Sequence, residues 1–301
     1  MDSIDKGILY ALRKNCRASY EDLARDHEIS ANAIKRRVAR LQKSGVIHRY
    51  VVRLSWSMVE AHPLVIFVYS NRSYDDEEFM EQLGAHPLVE SVRFDSYGSA
   101  VVRASYREGN DIFELSEYFR ALEGVAEIEI HPIPTKRGER TTFSKLQLRV
   151  LTQVAKDARM PISRIASESR LTAKRVRSIL NQLHESQSVS FTIDIDPTAG
   201  ASNLLTFRII YQPNTIKPDE VVKPLKEEFG TEFWNEWHSA SQNLMWIDFV
   251  LENVRDAEPI AKRIRMMPGV EIQNTIVPYP VRWFTGYRDT QLTEMLQKLN
   301  E

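Results

Sequence analysis

The sequence predicts an α+β chain in which one two-part unit occurs twice. Three observations predict it. Charge alternates along the chain in blocks. The apolar skeleton repeats at a spacing of about 142 residues. Within each repeat, a helical stretch gives way to alternating strands and helices.

The 301 residues carry a net charge of −1, but the charge is segregated. Residues 1–54 have net +6, residues 55–134 net −10, residues 135–196 net +6 and residues 197–301 net −3. Two separate basic pieces point to an anionic partner. One cysteine, Cys16, excludes a disulfide framework within the chain and suits a reducing, cytoplasmic setting. The N-terminus opens on acids before a short apolar run, unlike a secretory signal. No apolar run approaches the roughly 20 residues that span a bilayer, so no membrane partner is expected.

A shift of 142 residues aligns the halves without a gap over about 50 positions. Ile8 and Leu9 fall on Val150 and Leu151, Arg17 on Arg159, and Leu23 and Ala24 on Ile165 and Ala166. Ile34, Val38 and Leu41 fall on Val176, Leu180 and Leu183. Mostly apolar positions repeat, which predicts one fold twice rather than one surface twice. A domain-sized period means tandem duplication, not a solenoid.

Each element follows from local pattern. Ile4, Ile8, Leu9 and Leu12 share a face of a first helix. Ser19 precedes EDLARDH, a short helix with an acidic first turn. After a tight break at Glu28 and Ile29, Ser30 caps a third helix whose buried stripe is Ile34, Val38 and Leu41. Gly45 ends that helix, and HRYVVRL reads as a strand, the expected wing. Two short helices about a tight turn, the second basic, form a helix-turn-helix. The rest of the first half reads PLVIFVYS, DDEEFMEQLGA, LVESVRFDS, SAVVRASY, DIFELSEYFRALE, VAEIEIHPI: strand, helix, two strands, helix, strand. That order is the ferredoxin-like βαββαβ arrangement. The second half repeats it from NLLTFRIIY to VEIQNTIV. Leu292, Leu296 and Leu299 place one more helix at the C-terminus, expected to dock on the core. The expected domains are 1–54 and 144–196 (winged helix-turn-helix), 55–134 and 197–288 (ferredoxin-like), a linker at 135–143 and a terminal helix at 289–301.

On the third helix Asn32, Lys35, Arg36 and Ala39 share an outward face, and residues 31–43 contain no acid. A solvated helix usually mixes signs and gains i,i+4 pairs. This one forgoes them, and a polyanion would relieve the repulsion. Asn and Arg also pair with adenine and guanine edges in the major groove. The expectation is double-stranded DNA, with helix 30–44 in the groove. Asn32, Lys35 and Arg36 would face base edges, and Arg40, Arg49 and Arg53 phosphates. Ser30 would hold the helix start, and Arg37, near the buried stripe, reads as structural or phosphate-facing. In the second copy Thr172 is the cap, and Lys174, Arg175, Arg177 and Asn181 are exposed. Gln187 stands in place of Gly45, and the strand VSFTIDID carries Asp194 and Asp196 where the first has arginines. Weaker or differently specific contact is expected there.

LARDHEISANAIKRRVARLQKSGVIHRY, followed by a ferredoxin-like part, resembles the Lrp/AsnC (feast/famine) transcriptional regulators, as does the opening SIDKGILYALRKNCRASYEDLA. The resemblance covers the first half well and the second more loosely. It implies a DNA-binding winged helix-turn-helix, a ferredoxin-like (RAM-type) domain that mediates assembly and often senses amino acids, and a dimeric unit. The duplication departs from the usual single copy. Either a homodimer, the favoured form, or a pseudo-dimer within one chain would satisfy it. The resemblance also implies an effector turn between the second and third strands, here FDSYGSAV with Asp95 and Gly98. The second copy, HSASQNLM, has neither. Trp234, Trp237, Trp246, Trp283 and Phe284 would pack in the core or at an interface.

No Walker loop, dinucleotide fingerprint, GxSxG or HExxH is present. The seven histidines, His27, His48, His62, His86, His131, His184 and His238, have no metal-ligand spacing. No cofactor is expected and no enzyme is indicated. Two alternatives stay open: a sirohaem-decarboxylase-like tetrapyrrole enzyme on this same plan, and a chromatin-like protein that binds DNA without sequence preference.

Overall fold

The computed structural model describes residues 1–71, 76–200 and 203–298. Asp75 and Leu299, expected in helices, lie outside these residues. The element order repeats as the sequence predicts. The first copy runs α1 (Ser3–Lys14), α2 (Tyr20–Asp26), α3 (Ala31–Lys43), β1 (Ile47–Leu54), β2 (His62–Ser70), α4 (Asp76–Gly84), β3 (Val89–Phe94), β4 (Ala100–Tyr106), α5 (Gly109–Ala121) and β5 (Val125–Pro132). The second runs α6 (Lys145–Val154), α7 (Ile162–Ser169), α8 (Ala173–Glu185), β6 (Val189–Ile195), β7 (Asn203–Tyr211), α9 (Pro218–Glu228), β8 (Phe233–His238), β9 (Leu244–Leu251), α10 (Ala257–Arg265) and β10 (Val270–Ile276). A short β11 (Arg282–Trp283) and α11 (Tyr287–Gln297) follow.

Compactness sorts the chain by type of module, not by copy. One unit gathers Ala61–Thr135 and Pro197–Tyr287. The other gathers Asp2–Glu60, Lys136–Asp196 and the chain from Arg288 onward. The two basic blocks thus share one unit and the two acidic blocks the other.

In the acidic unit the sheet orders are β11-β3-β4-β2-β5 and β10-β7-β9-β8, each containing the antiparallel 4-1-3-2 arrangement of a βαββαβ fold. Alternation decides what each strand side buries. Leu64, Ile66 and Val68 of β2 join Phe79, Leu83, Leu115 and Phe119 in a core under α4 and α5. Val65 and Phe67 point the other way and pack with Val101, Leu244, Trp246 and Ile276, where the two sheets meet. Both faces of β2 and β9 are buried along most of their length, which is why these strands are almost wholly apolar, with buried Asp248 of β9 bonded to the Thr206 hydroxyl. Trp237 and Trp246 stack there with centroids 4.0 Å apart, so these two expected packing aromatics are interface residues.

The second copy also covers an edge of the first sheet, which was not foreseen. Ser96 N–H donates to Val277 O, Tyr279 N–H to Phe94 O and Phe284 N–H to Glu90 O, and β11 pairs with β3. Such cover removes an open strand edge. The Phe284 ring lies so close to Gly84 that a Cβ there would sit 2.0 Å from it.

In the basic unit, α1–α3 and α6–α8 form two helix-turn-helix trios. The strand expected as a wing is not a hairpin within its copy. β1 pairs antiparallel with β6, making one two-stranded ribbon from both copies. Its register pairs Tyr50 with Ile193 and Val51 with Thr192. Adding 142 to one member of each pair and subtracting it from the other exchanges the two pairs. The ribbon therefore has a pseudo-twofold at its centre.

Candidate nucleic-acid interface

Each recognition helix is started in the same way. Glu28 and Arg170, equivalent residues, take φ values of +54° and +52° and turn the chain between the two helices of each motif. The side chains of Ser30 and Thr172 then accept from the backbone N–H of Ala33 and Arg175, both at 3.2 Å. Ile34, Val38 and Leu41 anchor α3, and Val176, Ile179, Leu180 and Leu183 anchor α8. Ser30, Asn32, Lys35, Arg36, Ala39 and Lys43 are exposed, as are Lys174, Arg175, Arg177 and Asn181. Among the described residues, no ion pair engages Lys35, Arg36, Lys43, Lys174, Arg175 or Arg177. Desolvated cations without carboxylate partners are rare, and these remain solvated and free to meet phosphate or base edges.

Other expected DNA contacts are already occupied. Arg37 donates to Asp2 at 2.7 Å and to Asp5 at 2.8 Å, both at the start of α1. The structural reading of that residue fits. Arg40 donates to the same Asp5 at 2.6 Å, though its side chain stays 61% exposed. α3 contains no acid of its own, so its intrachain partners come from α1.

Arg53 and Arg49 correct the expectation of phosphate contacts. Arg53 is only 5% exposed. Its guanidinium donates to both carboxylate oxygens of Asp194 at 3.0 and 3.1 Å and to Asp289 at 2.5 Å. Arg49 Nε donates to Asp194 at 2.7 Å and its Nη2 to Asp289 at 3.4 Å. The physical reason is the ribbon: β1 of one copy lies beside β6 of the other, so Asp194 is not a flaw in a second wing. It is the counter-charge of the first strand. Asp289, in the first turn of α11, ties the C-terminal helix to the same cluster.

A second seam lies at the ends of α1 and α6. Arg17 donates to Ala158 O at 2.6 Å and Met160 O at 3.0 Å. Arg159 donates to Cys16 O and to Ala18 O, the latter at 3.2 Å. The four carbonyls are equivalent in pairs under the 142-residue shift, so each copy grips the other by the same device. Arg159 also lies over Tyr20, 4.6 Å from the ring centroid. The linker is largely exposed but is pinned at its middle. Ser55 and Ser57 hydroxyls donate to Glu139 O and Gly138 O at 2.7 and 2.9 Å. Gly138 has φ +69°, and a Cβ on it would sit 2.6 Å from Gln187 O.

Residues 1–42, the span of α1–α3, match the AsnC-type helix-turn-helix domain. The N-terminal module is an AsnC-type helix-turn-helix. An uncharacterised HTH-type transcriptional regulator of Pyrococcus horikoshii is 24% identical over 135 residues, 44% of this chain and 90% of that protein. The HTH-type transcriptional regulator LysM of Sulfurisphaera tokodaii is 28% identical over 127 residues, 42% of this chain and 89% of its own length. Over about 44% of its length the chain is thus similar to HTH-type transcriptional regulators. Among solved structures, the siroheme decarboxylase NirDL covers 100% of both chains with TM-score 0.53 and 11% identity, a likeness of fold.

The expected effector turn is closed. Asp95 is 2% exposed, and its Oδ1 accepts from Tyr97 N–H, Ser99 N–H and the Ser99 hydroxyl at 2.8 to 3.1 Å. Gly98 supplies the positive φ of that turn, +75°. The carboxylate holds its own loop instead of facing a ligand, and the segment from Val277 binds alongside. In the second copy Ser239 takes the same part, accepting from Ser241 and Gln242 N–H, both at 3.2 Å.

Sequence reasoning missed a polar cluster between the two sheets of the acidic unit. Arg208 donates to Glu129 at 2.6 Å and to Tyr69 OH at 2.9 Å, and Tyr69 OH donates to Glu129 at 3.0 Å. His131, fully buried, lies 3.1 Å from Ser239 Oγ and 3.3 Å from Glu129. Burial pushes the Glu129 carboxyl up, but hydrogen bonds from His131 and Arg208, with the Arg208 charge, outweigh it and hold the group at about 2. Burial pushes the Tyr69 hydroxyl up to about 12. Alternation could have flagged Arg208 as a cation in an apolar strand. Its partners come from the other copy and leave no trace in sequence spacing. Among the described residues, no group of three or more His, Cys, Asp or Glu is placed to hold a metal ion. No described helix is long and apolar enough to cross a membrane.

Proposed function

We propose that the chain is a sequence-specific, DNA-binding transcriptional regulator of Lrp/AsnC type. The supporting observation is the solvated cationic face of α3, with Asn32, Lys35 and Arg36 exposed and no carboxylate engaging either cation among the described residues. A helix of this kind enters the major groove, Asn and Arg reading base edges and Lys meeting edges or phosphate. The relatives named as transcriptional regulators support the same reading, as does the basic charge of both helix-turn-helix segments. Assembly is met within the chain, because the ribbon and the sheet contact each join one copy to the other.

The deciding experiment changes Lys35 and Arg36 together to alanine. Specific affinity should fall about five- to 150-fold for each lost base contact, with circular dichroism unchanged. Intact specific affinity in that variant would refute the docking. A tetrapyrrole enzyme is the second reading, favoured by the full-length likeness of fold to NirDL and by the Glu129–His131–Arg208 cluster. It predicts a shifted Soret band when an iron porphyrin is added; a regulator leaves that spectrum unchanged.

A further inference from the structure

We infer that the chain reads a non-palindromic DNA site, built of two unlike half-sites in fixed order. The inference rests on the DNA-binding reading and specifies the DNA that such a reader takes. Two features of the basic unit carry it.

The first is rigid pairing. β1 and β6 join through a ribbon whose register exchanges under the 142-residue shift. Arg17 and Arg159 each donate to two carbonyls of the opposite copy, at equivalent positions. Buried Arg53 and half-exposed Arg49 bind Asp194 across the ribbon. The two helix-turn-helix motifs are therefore related by a pseudo-twofold, the symmetry with which paired motifs address two half-sites about one helical turn apart.

The second is divergence concentrated on the outward face of the recognition helices. Between the copies, the helix cap is kept in kind (Ser30 and Thr172), the turn geometry is kept (Glu28 and Arg170), and the buried stripe is kept. Outward residues are not kept. Asn32 becomes Lys174, Lys35 becomes Arg177, Arg36 becomes Ser178 and Ala39 becomes Asn181. Farther along, Arg40 becomes Gln182 and Lys43 becomes Glu185. Two identical half-sites offer identical donors and acceptors. These two faces present different ones: a bulky cation replaces a small amide at the helix start, and an amide replaces a methyl in the middle. Position is preserved while chemistry is exchanged, which is what reading two different base sequences requires.

The test selects bound duplexes from a random pool with the full chain at about 0.15 M salt, near physiological ionic strength. The expected motif has two halves that are not inverted repeats of each other, with centres about 10 base pairs apart. A second variant makes the faces alike: Lys174→Asn, Arg175→Ala, Arg177→Lys, Ser178→Arg, Asn181→Ala, Gln182→Arg and Glu185→Lys, all at exposed or half-exposed positions. Its selected motif should become a palindrome of the half-site read by α3. Affinity for the original site should fall by about tenfold or more. A palindrome from the wild-type chain would overturn the inference. So would a motif of one half-site alone, or a graft that leaves the motif unchanged. Absence of any DNA binding would instead sink the reading on which the inference rests.

Discussion

Replacing Arg53 with methionine separates a structural role from a DNA contact. The side chain keeps much of its length and loses its charge. In the wild type, Arg53 is 5% exposed and bonds Asp194, itself buried, and Asp289. Breaking a buried ion pair by removing one partner costs about 3–5 kcal/mol. Arg49 remains beside both carboxylates, and Asp289 is partly exposed, so the low end applies: about 3 kcal/mol. At 1.4 kcal/mol per decade that is on the order of a hundredfold in the equilibrium for opening this unit. The chain's single cysteine reports it. Cys16 is fully buried, its backbone N–H donates to Phe191 O on β6 at 2.8 Å, and burial pushes its thiol up to about 12. A thiol reagent can reach it only when the unit opens. Labelling of Arg53→Met should run about a hundred times faster than wild type in the regime where opening is a rapid pre-equilibrium. An unchanged labelling rate, with DNA affinity lowered and the salt dependence flattened by about 0.9 in log–log slope, would restore Arg53 as a phosphate contact and refute the reasoning.

Three further outcomes are expected. Gln187 holds a left-handed conformation, φ +51°, where its counterpart is Gly45; Gln187→Gly should stabilise by about 0.5–1 kcal/mol, and a lower urea midpoint would contradict this. Arg17→Leu strips two carbonyls of a charged donor and should cost about 2 kcal/mol, again read by faster Cys16 labelling. Glu129 has its folded value depressed to about 2 from an ordinary 4.5. Its contribution is therefore present above about pH 4.5 and lost as pH falls toward 2, up to ~3 kcal/mol. Fluorescence of the stacked Trp237 and Trp246 should follow that loss, and Glu129→Gln should remove the part of the pH dependence in this window.

What was legible in the sequence was set by period and by local chemistry. The apolar stripe of α3, its serine cap and Gly45 all act within 16 residues, so the helix could be placed from sequence. The βαββαβ order followed from alternation, and the duplication from apolar positions that must coincide if one core is built twice. Arg49 and Arg53 show what was not legible. Their charge suited phosphate, and nothing nearby in sequence opposes it. The opposing carboxylates stand 145, 141, 240 and 236 residues away. The closed effector turn differs, because Asp95 is held by Tyr97 and Ser99, only two and four residues on; just the segment laid beside it, from Val277, comes from about 180 residues away. Gly7 and Arg149 make the point in miniature. A Cβ at Gly7 would sit 2.2 Å from the His27 ring. In the second copy Arg149 fills that place and reaches Ser169 O, where serine has replaced the histidine. The compensation is visible only when both positions are seen together.

The charges on the ribbon have a consequence for dosage. Two β1 strands paired in the same register would bring four arginines together with no acid on either strand, since the position equivalent to Asp194 is Val52. Neither copy is a good partner for its own twin, and each is a good partner for the other. Tethering supplies that other at an effective concentration on the order of millimolar. The paired helix-turn-helix unit therefore forms by a first-order step within the chain. Halving expression would halve the count of paired units, where a pair assembled from separate subunits at limiting concentration would lose about three quarters of them.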